Sequence, residues 1–292
     1  GFWIFFSQDR PLEALPFVIF FSIFKDSALA WALFALVMRW VLSLVFWITL
    51  NKLFPKQRKL WIWASLIFTI YPGFKFHNFS IMFALFYVFF TFYILSFYSM
   101  GRAIEKRQSP WVYGLWTLLG IVCLGIGIMP VEYFFGLEFI RPILLWIIHA
   151  RSYPKQREKV FKYVLLDSLP YLLLTIGFVV FRVSQSHAYI YKISLLDQLK
   201  TAPFATIWQL MQNAGKSLFE GLILAWGKSF SDIIQVRIWA FVGLLALSFT
   251  IIGITLLLIF RQKQRFVTDK NHGLQVAGIG ILLSLLSLIP FY

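Results

Sequence analysis

Residues 27–59 read SALAWALFALVMRWVLSLVFWITLNKLFPKQRK. Between positions 27 and 50 the one charge is Arg39, and the run exceeds the ~20 apolar residues with which an α-helix crosses a bilayer. Lys52, Lys56, Arg58 and Lys59 follow at once. An apolar run closed by a short basic loop is the pattern of a membrane span meeting the cytoplasm.

The same alternation continues along the chain. Apolar runs occupy 60–70, 78–100, 111–128, 131–150, 163–183 and 238–260, and a last one starts near 274. Turn residues divide some of them: Tyr71-Pro72-Gly73 closes the second run, and Met129-Pro130 separates the fourth from the fifth. The expected fold is an all-α polytopic membrane protein with about eight transmembrane helices. Residues 1–292 are read as a single transmembrane domain.

Composition agrees. The chain is 60% hydrophobic and 13% charged, with a mean hydropathy of +0.78, more apolar surface than one soluble core of this length hides. The net charge of +15 would point to nucleic acid in a soluble protein. Here no basic face alternates with stacking aromatics outside the apolar runs, so no nucleic-acid partner is expected. The single cysteine, Cys123, lies inside an apolar run, which excludes a disulfide framework and a cysteine-rich metal site.

The basic residues fall in alternate loops, at 51–60, 101–109, 151–162 and 261–272, where the acids are Glu105, Glu158 and Asp269. If every run crosses, all these loops share one side, the cytoplasmic one. The outer side then holds residues 1–26, the turns near 72–78 and 129–131, and the stretch 184–236. An outside start without a preceding span, and an apolar end at Tyr292, imply a chain truncated at both ends, with at least one N-terminal span missing.

Residues 11–24 are apolar but too short to span, and are expected to form a helix in the outer interface. Ser27 is positioned to cap the helix that follows. The stretch 194–230 mixes Leu195, Leu199, Phe204, Ile207, Leu210, Leu218, Leu222 and Leu224 with Lys200, Lys216 and Glu220, which predicts short amphipathic helices on the outer surface. No inverted repeat and no nucleotide, metalloprotease or redox motif occurs.

Charges inside apolar runs carry more information, because lipid makes them costly. Arg39 stands about twelve residues into its span, near mid-membrane at ~1.5 Å per residue. Glu138 and Arg141 share a helix face in the fifth run, beside Pro142, a residue that bends helices. These three are read either as a structural cluster, Glu138 neutralising the arginines, or as a polar lining beneath a substrate cavity. The histidines, His77, His149, His187 and His272, are scattered, so no metal centre is expected. His149 and His272 sit beside cytoplasmic loops and are expected to be solvated. On the outer side, Asp9, Arg10, Lys75 and His77 form a candidate cluster whose Arg and Lys would bind an anionic, phosphate-bearing substrate, and Glu132, at the outer membrane boundary, can face an extracytoplasmic cavity.

Several of these segments resemble the membrane glycosyltransferases of the GT-C superfamily, especially protein O-mannosyltransferases and aminoarabinose transferases. The resemblance covers most of residues 5–150 and rests on Asp9-Arg10-Pro11-Leu12, Phe24-Lys25-Asp26-Ser27, Arg39 in the next span, Tyr71-Pro72-Gly73-Phe74 and the segment 125–145. It implies transfer of a sugar from a polyprenyl-phosphate donor to an acceptor on the extracytoplasmic side of a bacterial inner membrane, the lipid tail lying between spans. In that reading a carboxylate, Asp9 or Glu132, orients the acceptor hydroxyl, and Arg10 and Lys75 hold the leaving phosphate, with His77 beside them. No cofactor is implied beyond the polyprenyl-phosphate sugar itself. The chain departs from the family in two places. Glu132 stands near where those enzymes carry lysine, and the acid that activates their acceptor would fall before residue 1. The mid-depth charges leave two other functions open: a transporter or flippase of a lipid-linked substrate, and a non-catalytic membrane assembly subunit.

Overall fold

The computed structural model describes residues 11–71, 80–130, 132–153, 155–185, 198 and 200–227. The architecture there is entirely helical, with α1 (Pro11–Phe24), α2 (Ala28–Leu53), α3 (Arg58–Ile70), α4 (Ser80–Glu105), α5 (Pro110–Ile128), α6 (Ile140–Ser152), α7 (Arg157–Gln185) and α8 (Pro203–Phe219). A 3-10 helix, Glu132–Phe139, leads into α6, and a π turn, Glu220–Leu224, follows α8.

Among the described residues, 5 helical segments are long and apolar enough to cross a membrane: Ala28–Leu53, Phe83–Glu105, Pro110–Ile128, Tyr133–Ser152 and Arg157–Arg182. The protein is therefore an integral membrane protein. About eight spans were expected from the sequence. The run at 60–70 forms α3, whose 13 residues extend about 20 Å, short of the ~30 Å hydrocarbon core. The runs at 238–260 and from 274 lie outside the described residues.

Local chemistry sets the helix ends. Ser27 caps α2 as expected, its side chain accepting from the Ala30 amide at 3.3 Å. Lys25 takes a positive φ of 49°, the left-handed turn that separates α1 from α2. The indole of Trp31 donates to the Lys25 carbonyl at 3.0 Å, and Phe24 packs on Trp31 and Phe34, so aromatic contacts hold the turn. At the other end of α2, Pro55 stops the helix, and the Trp61 indole donates to the Phe54 carbonyl at 2.9 Å. The chain thus folds back sharply into α3. Phe46 meets Phe68 across the resulting hairpin.

α4 is the most enclosed of the candidate spans. Leu85, Phe89, Tyr93, Phe97 and Met100 lie buried along it, with α2 and α5 packed against it. Its contact with α5 requires glycine. A Cβ on Gly127 would stand 2.8 Å from the Tyr93 backbone, and one on Gly120 would stand 2.5 Å from the Tyr171 hydroxyl of α7. Small residues let backbones approach where no hydrophobic effect drives helices together. Cys123, on the same helix, is buried among these contacts.

The fifth apolar run is not one continuous α-helix. It begins as the 3-10 helix, and Phe134 anchors that segment by stacking on Phe90 at 4.5 Å. Pro142 then falls in the first turn of α6, where its missing N–H is tolerated. The expected bend is therefore a change of helix type just before the proline. Hydroxyls in the spans bond their own helices, as Ser43 does to Arg39 and Thr175 to Tyr171, leaving few polar groups to lipid.

The predicted helix over 11–24 forms as α1, and part of 184–236 forms α8, an amphipathic helix as expected. α8 exposes Phe204, Ile207, Trp208 and Met211. It is tied back where the Tyr71 hydroxyl donates to the Gly221 carbonyl at 2.6 Å and the Tyr71 ring meets Trp226.

Candidate functional site

Of the residues assigned to the outer site, Asp9, Arg10, Lys75 and His77 lie outside the described residues. Glu132 opens the 3-10 helix, and only its backbone is described. It follows the end of α5 that is remote from the basic loops. The structure thus gives no contact among these five residues. The intramembrane charges, in contrast, are placed in full.

Glu138 and Arg141 form a closed pair. Arg141 donates from Nε and Nη2 to the two carboxylate oxygens of Glu138 at 2.7 and 2.8 Å, a bidentate bond between residues one turn apart. A second Nη2 bond runs to Ser96 Oγ at 2.8 Å, and Nη1 faces the Met100 sulfur at 3.6 Å. The guanidinium lies between the Phe97 and Tyr171 rings, 4.1 Å from each centroid. Arg141 is 1% exposed and Glu138 4%. A charge pair so enclosed binds α4, α6 and α7 together and offers no face to a solute.

Arg39 is held elsewhere. Its Nη2 donates to the Tyr71 carbonyl at 2.8 Å. That carbonyl ends α3, where helical partners run out and the dipole is negative. A cation midway along α2 therefore satisfies the end of a helix that stops at the same depth. The sequence groups Arg39 with Glu138, and the bond described for Arg39 runs to Tyr71.

A third constellation lies at the basic end, around Asp167 of α7. Its Oδ1 accepts from Arg107 Nη2 and from the Tyr113 hydroxyl, the latter at 2.7 Å, and its Oδ2 lies 2.7 Å from His149 Nε2. A carboxylate accepts only, so that ring nitrogen carries the proton. Arg107 also covers the Tyr163 ring at 4.2 Å. Asp167 and His149 are both buried, 3% and 2% exposed. The expected solvation of His149 is thus overturned: α6 turns it inward, where Asp167 supplies a partner. Sequence reasoning passed over Asp167, although it sits inside the 163–183 run and meets the criterion that singled out Arg39, Glu138 and Arg141.

The same end gathers the other basic segments. Lys52 pairs with Glu105, joining the C-termini of α2 and α4. Arg151 donates to the Leu53 carbonyl at 3.3 Å and covers the Phe54 ring. The loops at 51–60, 101–109 and 151–162 therefore meet at one end of the bundle, the common side that their charge pattern required. Beside Asp167, between α5 and α7, an open groove of about 720 Å³ is lined by Arg107, Tyr113, Leu118, Ile121, Tyr163 and Pro170, among others. Among the described residues no three of His, Cys, Asp and Glu are grouped to hold a metal ion. Compared with protein-family models, with curated proteins and with solved structures, the chain finds no match in any of the three.

Proposed function

We propose that this chain is a membrane glycosyltransferase of the GT-C kind, moving a sugar from a polyprenyl-phosphate donor to an acceptor on the extracytoplasmic face. The reading rests first on the sequence resemblance across residues 5–150. One structural observation favours it over the transporter or flippase: the mid-depth charges are consumed inside the protein. Glu138 and Arg141 close on each other under Phe97 and Tyr171, and Arg39 donates to the Tyr71 carbonyl. Those charges were the basis for a transporter or flippase. Bound in this way they support a rigid scaffold, as a transferase needs beneath its site.

The gathering of three basic loops at one end supports a cytoplasmic assignment for that end. Glu132 then belongs to the extracytoplasmic side, together with the proposed roles of Asp9 as base and of Arg10, Lys75 and His77 as phosphate ligands. Membrane lipids and the lipid-linked donor are the proposed partners, and the bacterial inner membrane is the proposed location.

The test is donor turnover. The chain is reconstituted in nanodiscs with a polyprenyl-phosphate hexose and a membrane extract that supplies hydroxyl acceptors, and release of polyprenyl phosphate is followed together with transfer of the hexose to the extract. Asp9→Asn or Glu132→Gln should lower the rate by about 10²-fold or more if that residue is the base. Arg10→Ala and Lys75→Ala should weaken donor binding. A wild-type chain that neither binds nor turns over the donor, or binding and turnover indifferent to all four substitutions, would refute the proposal.

A further inference from the structure

We infer that the groove between α5 and α7 is a binding site for an anionic phospholipid from the leaflet at the basic end. It lies away from the proposed sugar-transfer site and does not depend on that reading. The groove's polarity is graded. Arg107, Tyr113 and Tyr163 form one end, and Leu118, Ile121 and Pro170 line its length. Such a gradient matches a molecule with a charged head and a hydrocarbon tail.

The surroundings identify the medium. Trp111, Leu115, Leu118 and Leu119 on α5, and Leu165, Leu166 and Leu169 on α7, are all exposed. Two candidate spans with such flanks have lipid as their solvent, so hydrocarbon is what reaches the groove. Its volume of about 720 Å³ falls in the range of small-molecule sites.

The head end is built for an anion. Arg107 gives Nη2 to Asp167, yet its side chain stays 27% exposed and lines the groove. A guanidinium carries five N–H donors, and those left on its accessible edge suit a phosphate oxygen at the groove mouth. On α7 the lining residues Tyr163, Leu166 and Pro170 form one stripe, which helical spacing extends to Lys159, and Lys162 lies one turn before Leu166. Both lysines are exposed. Glu158 is the acid beside them, outnumbered by Lys155, Arg157, Lys159 and Lys162. Basic clefts between spans near the cytoplasmic surface select anionic headgroups.

The experiment is native mass spectrometry of the full chain released from micelles holding equal phosphatidylglycerol and phosphatidylcholine. The wild type should retain phosphatidylglycerol preferentially. Gly114→Phe fills the groove, since a Cβ there meets nothing within 4 Å, and should abolish retention at unchanged melting temperature. Lys159→Gln and Lys162→Gln, on the exposed surface, should each lower the preference on the order of fivefold. Equal retention of the two lipids, or a preference unchanged in the double lysine variant, would overturn the inference. So would wild-type retention in folded Gly114→Phe, or displacement of the lipid by excess inorganic phosphate, which would reassign the mouth to a free anion.

Discussion

The guanidinium of Arg39, midway along α2, donates to the carbonyl oxygen of Tyr71, the residue that ends α3, at 2.8 Å. The two residues are 32 apart in sequence. Their contact lies at the C-terminus of a helix too short to cross and places a positive charge where the helix leaves carbonyls without donors. Replacing Arg39 by Leu should free that end. A hydrogen bond from a charged donor contributes about 1.5–3 kcal/mol, so the last-turn amides of α3 should exchange about 10-fold faster or more. Hydrogen exchange in nanodiscs reads this directly, and unchanged protection at residues 67–71 would show the contact to be dispensable.

Arg141 and Glu138 are best separated by a double-mutant cycle. Arg141→Met leaves the buried Glu138 carboxylate without its counterion, and the expected loss of stability is about 3–5 kcal/mol. Joining it to Glu138→Leu should restore most of that loss, because no lone charge then remains. The measure is the denaturation midpoint in mixed micelles. A double variant as unstable as Arg141→Met alone would mean that the guanidinium matters through its rings and Ser96 more than through Glu138.

Gly127→Ala tests the close approach of α4 and α5. The new methyl group would meet the Tyr93 backbone at 2.8 Å, which a side-chain rotation cannot relieve. Overpacking of this kind typically destabilises by about 1–3 kcal/mol. Gly177→Ala, whose Cβ meets nothing within 4 Å, is the control and should leave the melting temperature at or above that of the wild type.

Asp167→Asn should loosen the basic end. The amide cannot accept from Arg107, Tyr113 and His149 as the carboxylate does, and it leaves the arginine charge without its counterion. A loss of about 3 kcal/mol or more is expected, at the scale of breaking a buried pair. If sugar transfer occurs at the other end, the folded fraction should keep its turnover per molecule. A selective loss of turnover without loss of stability would move the chemistry to Asp167 and His149.

Sidedness can be read with a single thiol. Cys123 is buried, so Cys123→Ala provides a background in which Gln108→Cys, an exposed position in a basic loop, is the reactive site. An impermeant maleimide should label it only from the cytoplasmic face. Labelling of intact cells or right-side-out vesicles would invert the topology.

The sequence was informative wherever the determining interaction was local. A run such as 27–50 specifies a span because backbone groups in lipid must bond within their own helix. The Ser27 cap and the Glu138–Arg141 pair depend on partners three residues away, inside one turn. The shared side of the basic loops followed from alternation along the chain. The outer-site assignment rests on residue types and the resemblance alone, and Asp9, Arg10, Lys75 and His77 stand outside the described residues. Asp167 carried a readable signal as a charge in an apolar run, but its partners did not: His149 and Arg107 are 18 and 60 residues away.

What the sequence by itself determined is the solvent of this protein and where most of the described helices begin and end. Tertiary structure alone decided that α3 stops opposite Arg39, that His149 turns inward to Asp167, and that Gly120 and Gly127 face their neighbours rather than lipid. The physical reason is the bilayer. In water, polar and apolar faces tell which side of a helix is buried. In hydrocarbon both faces are apolar, so hydrophobic pattern no longer distinguishes protein from lipid, and packing makes that choice.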